Sequence, residues 1–217
     1  MRRWEVPGHY RFITFSCYRR LPLLMNDRIC ELLVERIREV RLKANFSLFA
    51  WVIMPEHVHL LVEPGLPEHP LGRALGEIKG PVAEAAIERW RELKAPVLDK
   101  LVDSEGRVRF WQPGGGYDRN IFSAEEFDEK RRYIHNNPVR RGLVELFTDW
   151  RWSSARWYWG MESCLWMDAD PRTGRWDDPE LVRAEFHEWE RYMESRGRAL
   201  PLGAEAMRER LGIGRLG

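Results

Sequence analysis

"SLFAWVIMPEHVHLLVEP" occupies Ser47–Pro64. It is rich in β-branched and aromatic residues and breaks only at a Pro-Glu step. The composition predicts two strands, Ser47–Pro55 and His57–Pro64, joined so tightly that they form an antiparallel hairpin. In the second strand, residues 57, 59 and 61 share one face and residues 58, 60 and 62 the other. Val58, Leu60 and Val62 suit a core. His57 and His59 then project together from the opposite face, with Cβ atoms about 7 Å apart by strand rise. Two imidazoles so placed can converge on one ion. A polar patch on an exposed sheet, or two histidines satisfied in a core, fits the same spacing.

The hairpin sits inside an alternating pattern. Tyr10–Tyr18 reads as a strand. Residues 26–46 read as a helix, capped by Asn26 or Asp27, with Ile29, Leu32, Leu33, Ile37 and Val40 at helical spacing. Residues 70–93 read as a second helix with a kink or break at Gly80-Pro81. Residues 101–112 hold a turn and a short strand, and "PGGGY" (113–117) reads as a turn. A last helix starts at Ser123, with Glu126 completing a capping box, and should stop near Pro138 because the residue before a proline disfavours the α conformation. The order is β-α-β-β-α-β-α, and its first six elements predict an α+β fold: a ferredoxin-like split βαβ unit, an antiparallel sheet with helices on one face, followed by a further helix. The division expected is one domain over 1–160 and a C-terminal helical extension and tail over 161–217. The least ordered stretches expected are Asp99–Arg107, Gly160–Asp178 and the tail after Arg198.

Apolar residues make up 44% of the 217-residue chain, which suits a packed core and excludes wholesale disorder. The formal net charge is +1, but the charge is segregated. Met1–Arg20 carries five arginines and one acid, Lys130–Arg156 seven basic residues and two acids, and Asp177–Glu194 seven acids and two arginines. The cysteines, Cys17, Cys30 and Cys164, lack metal or redox spacing and read as reduced thiols of a cytosolic protein. No apolar run suits a signal peptide or the roughly 20 residues of a membrane span. The cluster "WRWSSARWYWG" (150–160) reads as packing against the domain, with base stacking the alternative.

"RRYIHNNPVRRGLVE" (131–145) adds a second clue. Tyr133 and Asn137 are four apart and share a helix face. Tyr133 is a nucleophile if its phenolate, ordinarily formed near pH 10, is favoured by an ion. The Asn137 amide oxygen would complete a donor set of two imidazoles without thiolate, which suits Mg²⁺ or Mn²⁺. The plainer alternative is that Tyr133 packs on the sheet and Asn137 caps the helix.

Four stretches in order, "WVIMPEHVHLLV" (51–62), "FWQPGGGYDRNI" (110–121), "YIHNNPVRRGLVE" (133–145) and "WSSARWY" (152–158), give the chain its resemblance to the REP-associated tyrosine transposases. These belong to the single-tyrosine HUH superfamily, with the insertion-sequence 200-type transposases. The resemblance covers Trp4–Gly160. It implies that His57 and His59 ligate a divalent metal, that Asn137 completes the site, and that Tyr133 is the nucleophile. It implies a metal-dependent single-stranded DNA endonuclease and strand transferase, acting on hairpin-forming repeats through a 5′-phosphotyrosine. The implied partner is single-stranded or hairpin DNA, with no membrane, and the working unit a monomer or homodimer. Arg131, Arg132, Arg140 and Arg141 flank the nucleophile and can hold phosphates. His135 takes a packing or phosphate-contact role. Lys79 aligns with a lysine that precedes a basic helix in relatives. Here the sequence departs, since "KGPVAEAAIERW" (79–90) carries Pro81, Glu84 and Glu88. The acidic segment near the C-terminus can compete with DNA or recruit a partner. Histidine ligation requires neutral imidazoles, so activity should fall below about pH 6. Two alternatives are a domesticated nucleic-acid-binding module without turnover and a metal phosphodiesterase acting on small nucleotides.

Overall fold

The computed structural model describes residues 9–114, 116–169, 179–201 and 203–213. The start of the N-terminal basic stretch and residues Asp177 and Asp178 of the acidic segment lie outside the described residues. The chain runs β1 (Tyr10–Ser16), α1 (Asp27–Ala44), β2 (Ser47–Met54), β3 (His57–Glu63), α2 (Leu71–Glu92), α3 (Val97–Leu101) and β4 (Tyr117–Ile121). Then come α4 (Ala124–Arg140), α5 (Ala155–Tyr158), α6 (Pro179–Ser195) and α7 (Gly203–Leu211). The sheet order is β2-β3-β1-β4 with every neighbouring pair antiparallel, the arrangement of a split βαβ unit. No helix among the described residues is long and apolar enough to cross a membrane.

Local chemistry explains the elements. The Asn26 side chain accepts the N–H groups of Arg28 and Ile29 and so satisfies two orphan donors at the start of α1. Ile29, Leu33, Ile37 and Val40 bury the face of α1 that meets the sheet. Strand alternation divides the core in two. Ile13, Phe15, Val58, Leu60 and Val62 join α1 and α2 in the larger core. Phe12, Phe49, Val52 and Leu61 meet Phe127 and Ile134 of α4 on the other side. The two helices of the split βαβ unit thus share one face, as expected, and α4, which follows the unit, covers the other. On this second face α4 covers the apolar residues and the two histidines of the central strands.

Three boundaries also differ from expectation. The fourth strand is Tyr117–Ile121, whereas Val102 and Val108 make only an isolated bridge across an Asp103 turn. Pro81 lies inside α2, which runs unbroken. Pro138 lies inside α4, which ends at Arg140. Pro138 stands in the last turn, where it removes a single hydrogen bond, and Arg141 N–H still reaches the Asn137 carbonyl at 3.0 Å.

Gly116 explains how the glycine tract leads into β4. Its φ is +72°, and a Cβ there would lie 2.2 Å from the Thr14 carbonyl of β1. Gly116→Ala should lose about 2 kcal/mol or more, from left-handed strain added to a backbone clash. Chemical denaturation measures this directly.

The opposite edge, β2, is covered. Ile53 N–H donates to Trp152 O, Ser154 N–H to Trp51 O and Asp168 N–H to Leu48 O. Trp152 and Trp159 are buried, and Trp150 donates its indole N–H to Ile53 O. The late tryptophans thus pack on the domain. The core continues past residue 160, where Phe186, Trp189, Met193, Met207 and Leu211 join Phe147 and Trp159. The stretch after Arg198, expected among the least ordered, contains α7. Cys17 and Cys30 are buried free thiols, and burial pushes both up to about 12.

Candidate active site

β3 carries the two histidines under α4, and both are buried. Their Nε2 atoms face each other at 2.9 Å. The outer nitrogens are held separately. His57 Nδ1 lies 3.0 Å from Glu56 Oε1, and His59 Nδ1 lies 2.7 Å from Thr14 Oγ1. Register explains the second contact, since Thr14 is the β1 partner of His59. A carboxylate only accepts, so His57 Nδ1 carries its hydrogen and leaves the Nε2 lone pair facing inward. The Thr14 hydroxyl accepts as readily as it donates, so His59 can present its Nε2 lone pair too.

Burial lowers the pKa of both rings. It outweighs the opposing pull of Glu56 on His57, and on His59 it is reinforced by His57 and Arg20. Both are therefore held as neutral imidazoles, the ligating form. Burial alone would raise Glu56. His57 and Arg141 outweigh it and hold the carboxyl below its ordinary range. A carboxylate behind a ligand histidine fixes its tautomer and ring orientation.

α4 brings the other two residues. The Ser123 hydroxyl accepts Glu126 N–H, while the Glu126 carboxylate returns to Phe122 N–H. From that fixed start, Tyr133 and Asn137 fall on the sheet-facing side. The Tyr133 ring lies 5.4 Å from the His59 ring and 5.9 Å from Phe12, edge to face. His57, His59, Tyr133, Asn137, Thr14, Arg20, Arg140 and Arg141 line one open cleft of about 240 Å³. Two imidazoles and an amide, without thiolate, fit a divalent cation such as Mg²⁺ or Mn²⁺. Such a cation takes about six donors, so these three would leave coordination positions for a substrate oxygen.

The basic residues separate. Arg141 reaches the cleft and pairs with Glu56 at 2.8 Å. Arg140 lies 5.9 Å from the Tyr133 ring centre and pairs with Glu188 of α6. Arg132 is held by the same Glu188 at 2.8 Å. Arg131 is turned inward. It is 1% exposed, sits over the Tyr158 ring and lies 3.7 Å from Glu185. That burial removes it from any phosphate surface. Lys79 belongs to the other side of the sheet, over the rings of Phe15 and Trp111. His135 is fully buried between Glu185 and the Ser154 hydroxyl, so its role is packing. Glu185, Glu188 and Glu190 of α6 thus face this chain's own arginines.

Sequence reasoning missed Glu56, Thr14 and Arg20. Thr14 carried a signal, being the polar residue between Ile13 and Phe15 in β1. Glu56 is adjacent to His57, but its place in the Pro-Glu step marks it as a turn residue. Arg20 carried none.

Similarity to known proteins accords with this architecture. A REP-associated tyrosine transposase of Escherichia coli is 28% identical over 153 residues, covering 70% of this chain and 80% of that protein. A Haemophilus influenzae relative is 27% identical over 141 residues, covering 61% and 76%. The solved structure of a REP-associated tyrosine transposase bound to a REP hairpin superimposes with a TM-score of 0.56 at 23% identity, over 76% of this chain and 89% of that one, and shares the fold. Residues 6–137 match the family model described as transposase IS200 like, and the chain belongs to this family of transposases.

Proposed function

We propose that this transposase is a metal-dependent single-stranded DNA endonuclease and strand transferase, with Tyr133 as nucleophile and His57, His59 and Asn137 as metal ligands. The observation that carries the reading is the convergence of these four side chains, from β3 and α4, on one cleft. A metal ion bound there would polarise a phosphate oxygen and orient attack in line.

The residues do the rest. The Tyr133 Oη forms a bond to phosphorus as the P–O3′ bond breaks. The phenol loses one proton, and the departing 3′-oxygen gains one. The products are a 5′-phosphotyrosine and a free 3′-OH. A second 3′-OH reverses the step and joins a new strand, so the bond energy is kept and no nucleotide triphosphate is needed. His57 and His59 stay neutral because burial disfavours their charged forms. The nearest substrate class is hairpin-forming repeat DNA, since the solved relative sharing this fold is bound to a REP hairpin. One chain carries all four residues, so a monomer suffices, working in the cytoplasm with the DNA.

The test is a denaturing gel. Protein is mixed with a labelled hairpin oligonucleotide copied from palindromic repeats beside its gene, with Mg²⁺ or Mn²⁺. A protease-sensitive adduct is expected. His57→Ala and His59→Ala should each abolish the adduct and weaken Mn²⁺ binding, read by calorimetric titration, by about 100-fold or more. Tight hairpin binding with no adduct on several repeats would sink the reading and favour a module without turnover.

A further inference from the structure

One buried oxygen behind the cleft is unusually crowded. Glu56 Oε1 receives His57 Nδ1 at 3.0 Å, Arg141 Nη1 at 2.8 Å and Arg20 Nη2 at 3.2 Å. The Glu56 side chain is 8% exposed, whereas those of Arg20 and Arg141 are 61% and 48% exposed. Two cations therefore share one anion, and the excess positive charge faces the cleft beside the histidine pair. A guanidinium has five N–H donors. Each arginine spends one on Glu56 and keeps the rest of a planar fork, whose geometry matches a phosphate.

The backbone that delivers Arg20 is itself unusual. Arg19 and Arg20 both have φ of 53°, in the left-handed region that side-chain-bearing residues disfavour. The loop is fixed around them. Arg20 N–H donates to Cys17 O, and Arg19 N–H to the Gln112 side chain. A solvent-exposed ion pair contributes too little to sustain such a conformation. Strain of this kind collects where a side chain must be aimed.

We propose that Arg20 and Arg141 form a phosphate-binding bracket at the cleft, with Glu56 as the positioning residue that couples the bracket to His57. This rests on the reading of the cleft as a phosphodiester-cleaving site. The bracket holds the DNA backbone through its charge. Glu56 touches no substrate and acts by fixing two arginines and one imidazole to a common point. Arg132 and Arg140 share Glu188 in a similar way, but Arg132 does not line the cleft.

The test is fluorescence anisotropy with a labelled repeat-derived hairpin over a series of salt concentrations, in chelator, beside Mn²⁺ titration and thermal melting. Arg20→Ala and Arg141→Ala should each reduce the slope of log K against log salt by about 0.7, the value for one lost contact to a single strand. Mn²⁺ affinity should stay as in wild type. Glu56→Gln keeps an oxygen that accepts from both arginines, so it should bind the hairpin as the wild type does, yet lose about 10- to 100-fold in Mn²⁺ affinity through its weaker hold on His57. A merely structural carboxylate would lower both affinities and the melting temperature together. Unchanged slopes in both alanine variants, or joint losses in Glu56→Gln, would overturn the bracket. The adduct assay reports separately. Shifted slopes without any wild-type adduct would leave the bracket standing and remove the cleavage reading. An adduct with unshifted slopes would do the reverse.

Discussion

Tyr133→Phe is expected to yield no covalent protein–DNA adduct while binding hairpin DNA and Mn²⁺ as the wild type does. The substitution removes one oxygen and little else. The ring keeps its edge-to-face contacts with Phe12 and His59 and stays beside the Arg140 guanidinium. His57, His59 and Asn137 keep their places, so the proposed metal site is intact. The other hydroxyl lining the cleft, on Thr14, is engaged with His59 Nδ1. Loss of a nucleophile acting with its neighbours as a unit should lower turnover by more than about 10⁴-fold. Stability should change by no more than about 0.5 kcal/mol. A denaturing gel and a melting curve on the same preparation separate the two effects. An adduct of wild-type yield in this variant would assign the nucleophile to another residue.

Glu185→Ala should produce the largest loss of stability, about 3–5 kcal/mol, because it leaves the buried Arg131 guanidinium without its counterion and His135 without its hydrogen-bond partner. Glu185 is fully buried on α6, with His135 Nδ1 against one oxygen and the Arg131 guanidinium 3.7 Å from the other. None of the three Arg131 side-chain nitrogens has a hydrogen-bond partner within the protein, so charge is what holds it. For a chain of this size the loss corresponds to a melting temperature lower by roughly 10 °C. Glu185→Gln should cost less, since an amide oxygen still accepts from His135. The pH dependence has a definite sign. Burial alone would raise the carboxyl, but His135 and Arg131 outweigh it and hold it below its ordinary value. A depressed folded-state pKa contributes stability above the unfolded value of about 4.3 and loses it as pH falls through the lower folded value. Wild type should therefore lose stability in acid over that window, and Glu185→Gln should lose less.

Much of the architecture was legible because its causes are local. Asn26 before an apolar helical repeat, the Pro-Glu step between two strands and Ser123 three residues before Glu126 each specify an element by themselves. The histidine face followed from strand alternation, and the Tyr133–Asn137 spacing put both on one side of a helix. What was not legible depends on partners distant in sequence. β4 reads as polar because it is an edge strand in which only Ile121 is buried. Arg131 and His135 look like surface residues of a charged helix until Glu185, some fifty positions later, is laid against them. Pro138 predicted a stop, but buried Val139 and the remaining hydrogen bonds carry α4 one more turn. Glu56 acquires its meaning only when Arg20 and Arg141 arrive from two other segments.

The joining of α6 to α4 also sets a schedule for the newborn chain. His135 and its buried partner Glu185 are separated by 50 positions. At roughly 5–20 residues per second, synthesis delivers the second about 3–10 s after the first. Throughout that interval the helix bearing Tyr133 exists without the cover that neutralises its inner face. Its guanidinium and imidazole favour solvent over the sheet. The cleft can therefore set firmly only once α6 has been made. A polypeptide released early, or cut before α6, would carry every residue proposed for catalysis yet lack the anchor that holds their helix in place.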